Sequence, residues 1–161
     1  MRASSADLGV PADIFESISE QKLNDPLDIY TRLQAVTRFK DAPEAQLLVQ
    51  SDRRIRHILE RNLKDETVSE INPNLFENDS EKVLFEAINR VSEESRASVE
   101  NDDYDATLRA LSTLADPLES FFEKTMVVAE EEALRLDRFA LLKRAGDLLQ
   151  SVADISKLQL G

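Results

Sequence analysis

Only three glycines occur in the 161 residues, at positions 9, 146 and 161. Strands joined by tight turns draw on glycine for backbone conformations that other residues avoid. A chain this poor in glycine, and dominated by Leu, Ala, Glu, Arg and Lys, is expected to be all-α. Helix starts recur along it. "NDPLDIYTRLQAVTRF" offers Asp25 as N-cap, Pro26 at the first helical position and Asp28 near the positive helix end, followed by Ile29, Leu33 and Val36 at helical spacing. "VPADIFESIS" and "DAPEAQLLVQSDRRIRHILERN" begin on Pro11 and Pro43. After a polar break around Pro73, "DSEKVLFEAINRVSEESRASVE" opens on Asp79, with Lys82 where a capping box wants an acid. "DYDATLRALSTLA", "DPLESFFEKTMVV" and a final helix from about Glu131 to Leu158, expected to be the longest, complete the pattern. Six or seven helices with short links predict an antiparallel bundle over residues 25–161, preceded by a boundary segment, 1–24, with one short helix.

The same residues narrow the chemistry. With no cysteine and one histidine, the chain has no disulfide and poor material for a zinc site. No glycine-rich phosphate loop is present, and no apolar run reaches the roughly 18 residues of a membrane span. The carboxylates follow helix-surface spacing, so no catalytic residue and no metal ligand is assigned. A cysteine-free chain without a membrane span suits the inside of a cell.

Against this background one stretch is anomalous. "QSDRRIRHILER", residues 50–61, holds four arginines and the only histidine of a chain with net charge −12. Residues 32–64 carry eight Lys or Arg and four Asp or Glu; the rest of the chain carries twelve and twenty-eight. On a helix of about 100° per residue, Leu47, Leu48, Ile55, Ile58 and Leu59 form an apolar face. Gln50, Arg53, Arg54, His57 and Arg61 form a polar row beside it. Arg56 falls off the row, between Asp52 and Glu60, where surface ion pairs neutralise it, so its loss is expected to leave the row intact. Such a row is either a solvated face or an anion site. Arginine forks with a histidine and a glutamine suit phosphates and unpaired bases.

Two further arginines sit among apolar residues. Arg138 interrupts the stripe Leu134, Leu141, Ala145, Leu148, Val152 and Ile155 of the last helix, with Arg135 at its edge. Arg32 lies among Ile29, Leu33, Val36 and Phe39. A buried charge costs several kcal/mol unless it is paired, so a structural ion pair from Arg138 to Glu119 or Glu123 is expected.

The segment around Arg138 also carries a resemblance. "DPLESFFEKTMVVAEEEALRLDRFALLKRAGDLLQSVADISKLQL" resembles the C-terminal DALR anticodon-binding domain of bacterial-type glycyl-tRNA synthetase β subunits. The Asp-Ala-Leu-Arg signature reads Glu132, Ala133, Leu134, Arg135. The family's "FFDKVMV" reads Phe121 to Val127, its "NRLALL" reads Asp137 to Leu142, and its "VADISKLQ" is unchanged from Val152 to Gln159. "RLQAVTRF" is similar to the family's "RVxALxxF" at Arg32 and Phe39. "DRRIRHIL" is similar to "NKRIxNIL", with Arg54 kept, Arg53 for lysine and His57 for asparagine, and "EKVLFEAI" resembles "EKALYEAL".

The resemblance spans about residues 25–160 and implies a non-catalytic domain, part of a much longer β subunit, that recognises the anticodon arm of tRNA-Gly. Its RNA-binding candidates are Gln50, Arg53, Arg54, His57 and Arg61, with Arg32 and Arg135. The family's whole enzyme is a cytoplasmic or organellar glycine–tRNA ligase. It uses ATP and magnesium, with glycine activation in a separate α subunit, and this portion would need no cofactor, DNA or membrane. Two alternatives stay open: a helical module whose basic row docks an acidic protein, and the related domain of an arginyl- or cysteinyl-tRNA synthetase.

Overall fold

The computed structural model describes residues 11–19, 25–63, 68 and 70–159. The expected junction at 24/25 therefore falls beside residues outside the described set. Seven α-helices occur among the described residues: α1 (Ala12–Ser19), α2 (Pro26–Phe39), α3 (Ala45–Asn62), α4 (Asp79–Glu100), α5 (Tyr104–Ser112), α6 (Ala115–Lys124) and α7 (Glu132–Leu149). Short 3-10 turns span Pro73–Leu75 and Ile155–Lys157, and no described residue is in a strand. The all-α expectation holds.

Local chemistry explains the helix starts. The Asp25 carboxylate accepts from the Leu27 amide, with Pro26 in the first turn. The start of α4 lies one residue earlier than expected. Asn78 is the N-cap and accepts from the Glu81 amide, while the Glu81 carboxylate accepts from the Glu77 amide. The acid missing at 82 is thus supplied at 81.

Helix α7 runs through the middle of the bundle, packed on α3 at one side and α4 at the other. Helix α4 also packs on α5 and α6, and α2 packs on α1 and α5. Phe139, Leu141, Leu142, Ala145 and Leu149 of α7 are fully buried, with Leu48 and Ile55 of α3, Leu84 and Ile88 of α4, and Leu118 and Phe121 of α6. Glycine in a helix interior costs about 1 kcal/mol relative to alanine. Gly146 stands there because α3 comes close: a Cβ at 146 would lie 3.2 Å from Ile55 Cγ2.

Two expectations about the last helix are corrected. The longest helix is α4, at 22 residues; α7 has 18 and stops at Leu149. The apolar spacing continues through Val152 and Ile155, and both are fully buried, but in a turn. Ser151 Oγ donates to the Leu148 carbonyl, and Asp154 accepts from the Ser156 amide. These side-chain bonds to backbone compete with helix continuation. The second correction concerns the stripe. Residues 137–142 are buried consecutively, because α7 has neighbours on several sides rather than one.

Arg138 is buried as expected, at 4% exposure, but its partners are not Glu119 and Glu123. It donates to Glu77 at 2.7 Å, to Glu81 at 3.4 Å and to the Met126 carbonyl at 2.6 Å. These contacts tie α7 to the start of α4 and to the loop after α6. Asp137 accepts from the Asn72 amide at 2.7 Å, and burial raises its pKa. Helical periodicity identified the buried face of Arg138 but not the element facing it.

Glu81 has a side chain only 1% exposed, so removing its cation leaves a buried carboxylate. Arg138→Ala is expected to lower stability by about 3–5 kcal/mol in urea unfolding. Glu77→Ala, which removes an exposed partner, is expected to cost under about 1 kcal/mol. Equal costs would contradict this division.

Candidate functional site

Helix α3 buries Ala45, Leu48, Val49, Asp52 and Ile55 against the bundle. Ile58 and Leu59 are half-buried, and Leu47, expected on the apolar face, is 42% exposed. Turning this face inward turns the polar row outward: Gln50, Arg53, Arg54, His57 and Arg61 are all exposed. The row is therefore continuous along the outer side of one helix, with α6 beside one part and the C-terminal turn beside another.

Its members are held differently. Arg53 donates through Nε to the Ser156 carbonyl at 3.0 Å and through Nη2 to the Leu158 carbonyl. The Arg54 guanidinium stacks over the Phe122 ring of α6, 4.2 Å from its centroid. Gln50, His57 and Arg61 make no hydrogen bond or ion pair among the described residues. The row thus combines two oriented guanidiniums with three side chains left to solvent.

Arg56 is not the indifferent surface charge expected. Its Nε lies 3.4 Å from Asp52 Oδ2, and its Nη2 lies 2.9 Å from Asp154 Oδ1. The second contact is an ion pair without hydrogen-bond alignment, since Nη2 satisfies no hydrogen-bond geometry. Asp52 is fully buried, and its Oδ1 has no partner. Burial pushes the Asp52 pKa up to about 6; Asp154 adds to the rise, while Arg56 and Arg53 oppose it. Arg56 therefore offsets a buried anion under the row, and Arg56→Ala is no longer expected to be silent.

Arg32, expected among the RNA contacts, is built into the fold. It is 8% exposed, pairs with Asp28 at 3.0 Å and donates to the Ser151 and Val152 carbonyls at 3.0 and 2.8 Å. Its guanidinium also lies 4.4 Å from the centroid of Tyr104, whose hydroxyl donates to Asp28. Burial and that bond push the Tyr104 pKa up to about 12. Arg32 thus fastens α2 and α5 to the turn after α7. Arg135 is half-buried on α7. Glu119 and Glu123, expected to pair with Arg138, are exposed and line the groove that holds Arg54 and Phe122. Phe122 lies on the same side of α6 as Glu119 and Glu123 and lines the same groove, whereas its neighbour Phe121 is fully buried in the core.

The comparisons with known proteins fit this geometry. The model of the DALR anticodon binding domain matches residues 48–158. The chain belongs to the DALR anticodon-binding domain family. The matched span includes all but the first turn of α3, with the whole polar row, and ends in the turn gripped by Arg53 and Arg32. The chain is 34% identical over 158 residues to the glycine–tRNA ligase beta subunit of Hahella chejuensis, covering 98% of this chain and 23% of that protein. It is 35% identical over 158 residues to the Xylella fastidiosa protein of the same name, with 98% and 22% covered. With the Marinobacter nauticus protein it shares 32% over 157 residues, 98% and 23%. The chain thus spans under a quarter of the length of these relatives.

The buried carboxylate beneath the row gives a pH test. A folded-state pKa near 6, above the ordinary 3.8, means that the folded chain binds the extra proton. Asp52 then lowers stability progressively as pH rises from about 4 to 6. The stability of Asp52→Asn relative to wild type should therefore increase by roughly 3 kcal/mol between pH 3 and pH 7, at about 1.36 kcal/mol per unit. Denaturant unfolding at a series of pH values measures this, and a pH-independent difference would contradict it.

Proposed function

We propose that this chain is the tRNA-binding portion of a glycine–tRNA ligase β subunit and that it holds the anticodon arm of tRNA-Gly against the outer face of α3. The observation that carries the proposal is the exposed row Gln50, Arg53, Arg54, His57 and Arg61 in a DALR-family chain that is strongly acidic elsewhere. Arginine and histidine attract phosphates and stack on bases, while acidic surfaces repel RNA from other faces. Family membership and the names of the relatives support the anticodon arm as the part bound and glycine as the amino acid served.

In the whole enzyme the chain would contribute binding and orientation. ATP-dependent attachment of glycine, with magnesium, would take place elsewhere, with glycine activation in an α subunit that assembles with the β subunit. No membrane or DNA is needed for this role, which suits the cytoplasm. No described helix is long and apolar enough to cross a membrane. The division between a boundary segment, 1–24, and the binding domain, 25–161, belongs to the same proposal. Helix α1 nevertheless packs on α2 and the C-terminal turn, through buried Ile14 and Ile18.

Electrophoretic shifts and chemical footprinting with tRNA-Gly test the proposal. If two or three cations of the row meet phosphates, log K should fall against log salt with a slope of roughly −1.5 to −2. Arg61→Ala removes a cation that makes no hydrogen bond or ion pair among the described residues. It should weaken all tRNAs about equally and make the slope shallower by about one. Arg54→Ala, which removes a stacking surface, should weaken tRNA-Gly binding by about 1–3 kcal/mol. Protection outside the anticodon arm, with Arg61→Ala silent, would contradict the proposal.

A further inference from the structure

On the α6 side of the row, the groove between α3 and α6 is lined by Gln50 and Arg54 from one helix and Glu119, Phe122 and Glu123 from the other. Arg54 faces two carboxylates there but forms no ion pair with either; it stacks over Phe122 at 4.2 Å. Neither Glu119 nor Glu123 has a hydrogen-bond or ion-pair partner among the described residues. With two anions to one cation, the groove repels phosphate. It offers a flat π-cation platform, two strong acceptors and the Gln50 amide.

We infer that this groove takes one unpaired nucleobase, stacked on the Arg54–Phe122 platform, and selects a base whose edge carries an exocyclic amine. The inference rests on the RNA-binding proposal above and deepens it. A flat base face suits the platform, because aromatic and guanidinium stacking accepts any base. The edge decides the selection. A carboxylate accepts from the N4 amine of cytosine; at the same place uracil presents a carbonyl oxygen, which a carboxylate repels. The Gln50 amide can donate to ring N3 or O2 of cytosine, and on uracil N3 is itself a donor. The work is thus divided along α3. Phosphates meet Arg53 and Arg61, and a base meets the groove at Gln50 and Arg54.

Cytosine and uracil share ring size and backbone, so they isolate the edge. Dissociation constants of the 161-residue chain for fluorescent oligo(C) and oligo(U) hexaribonucleotides, read by anisotropy, test the inference. Oligo(C) should bind at least about fivefold tighter. Glu119→Ala/Glu123→Ala should bring the ratio close to one by weakening oligo(C), with oligo(U) unchanged or tighter. Phe122→Ala should weaken both by about fivefold or more. Equal binding of the two oligomers by the wild type, or a preference that survives the double substitution, overturns the base-selective groove and leaves RNA binding by the row standing. No binding of either oligomer or of tRNA-Gly overturns both.

Discussion

Three arginines grip the last turn of the chain, and the exposed face of α3 depends on that grip. Arg32 donates to the Ser151 and Val152 carbonyls, Arg53 to those of Ser156 and Leu158, and Arg56 lies against the Asp154 carboxylate. The Asp154 amide in turn donates to the Ser17 carbonyl at 2.6 Å. Carbonyls at an interrupted helix end need donors, and guanidinium forks supply several each. The turn therefore locks α1, α2, α3 and the end of α7 together. The motif "VADISKLQ" is, in physical terms, the surface that these cations hold.

The grip also sorts the basic stretch. Of the arginines in "QSDRRIRHILER", Arg56 is committed to two buried carboxylates. Arg53 divides its donors between the turn and solvent. Arg54 is oriented by an aromatic ring, and Arg61 and His57 have no polar partner among the described residues. A cluster that reads as uniform charge is thus a graded surface, stiff at the turn and adaptable at its distal end.

The fold class was legible because glycine scarcity, capping residues and helical periodicity are local signals. Asp25–Pro26 marks the start of α2 without help from the rest of the chain. The outward row on α3 was legible for the same reason, since one helix has one apolar face. The partner of Arg138 was not, because Glu77 and Glu81 are brought in by the packing of α4 on α7. Asp52 reads as a surface partner of Arg56, yet it is buried with the inner face of α3, and Arg56 also meets Asp154, far away in sequence. Arg32 carried a warning in its apolar neighbours, and its burial follows them. Leu47 fails in the opposite direction: it sits on the edge of the apolar face and faces the α3–α6 groove. The resemblance located the family and the C-terminal motif, but not which arginines the fold itself consumes.

The central claim is that the outer face of α3, with the adjoining side of α6, is where RNA meets this domain. Backbone amide chemical shifts, followed by NMR while the labelled chain is titrated with an anticodon stem-loop of tRNA-Gly, test it directly. The account predicts perturbations concentrated at Gln50, Arg54, His57 and Arg61 and at Glu119, Phe122 and Glu123, with the exposed arginines Arg90 and Arg96 of α4 unmoved. Perturbations centred on α4 and α5, with α3 silent, would contradict it.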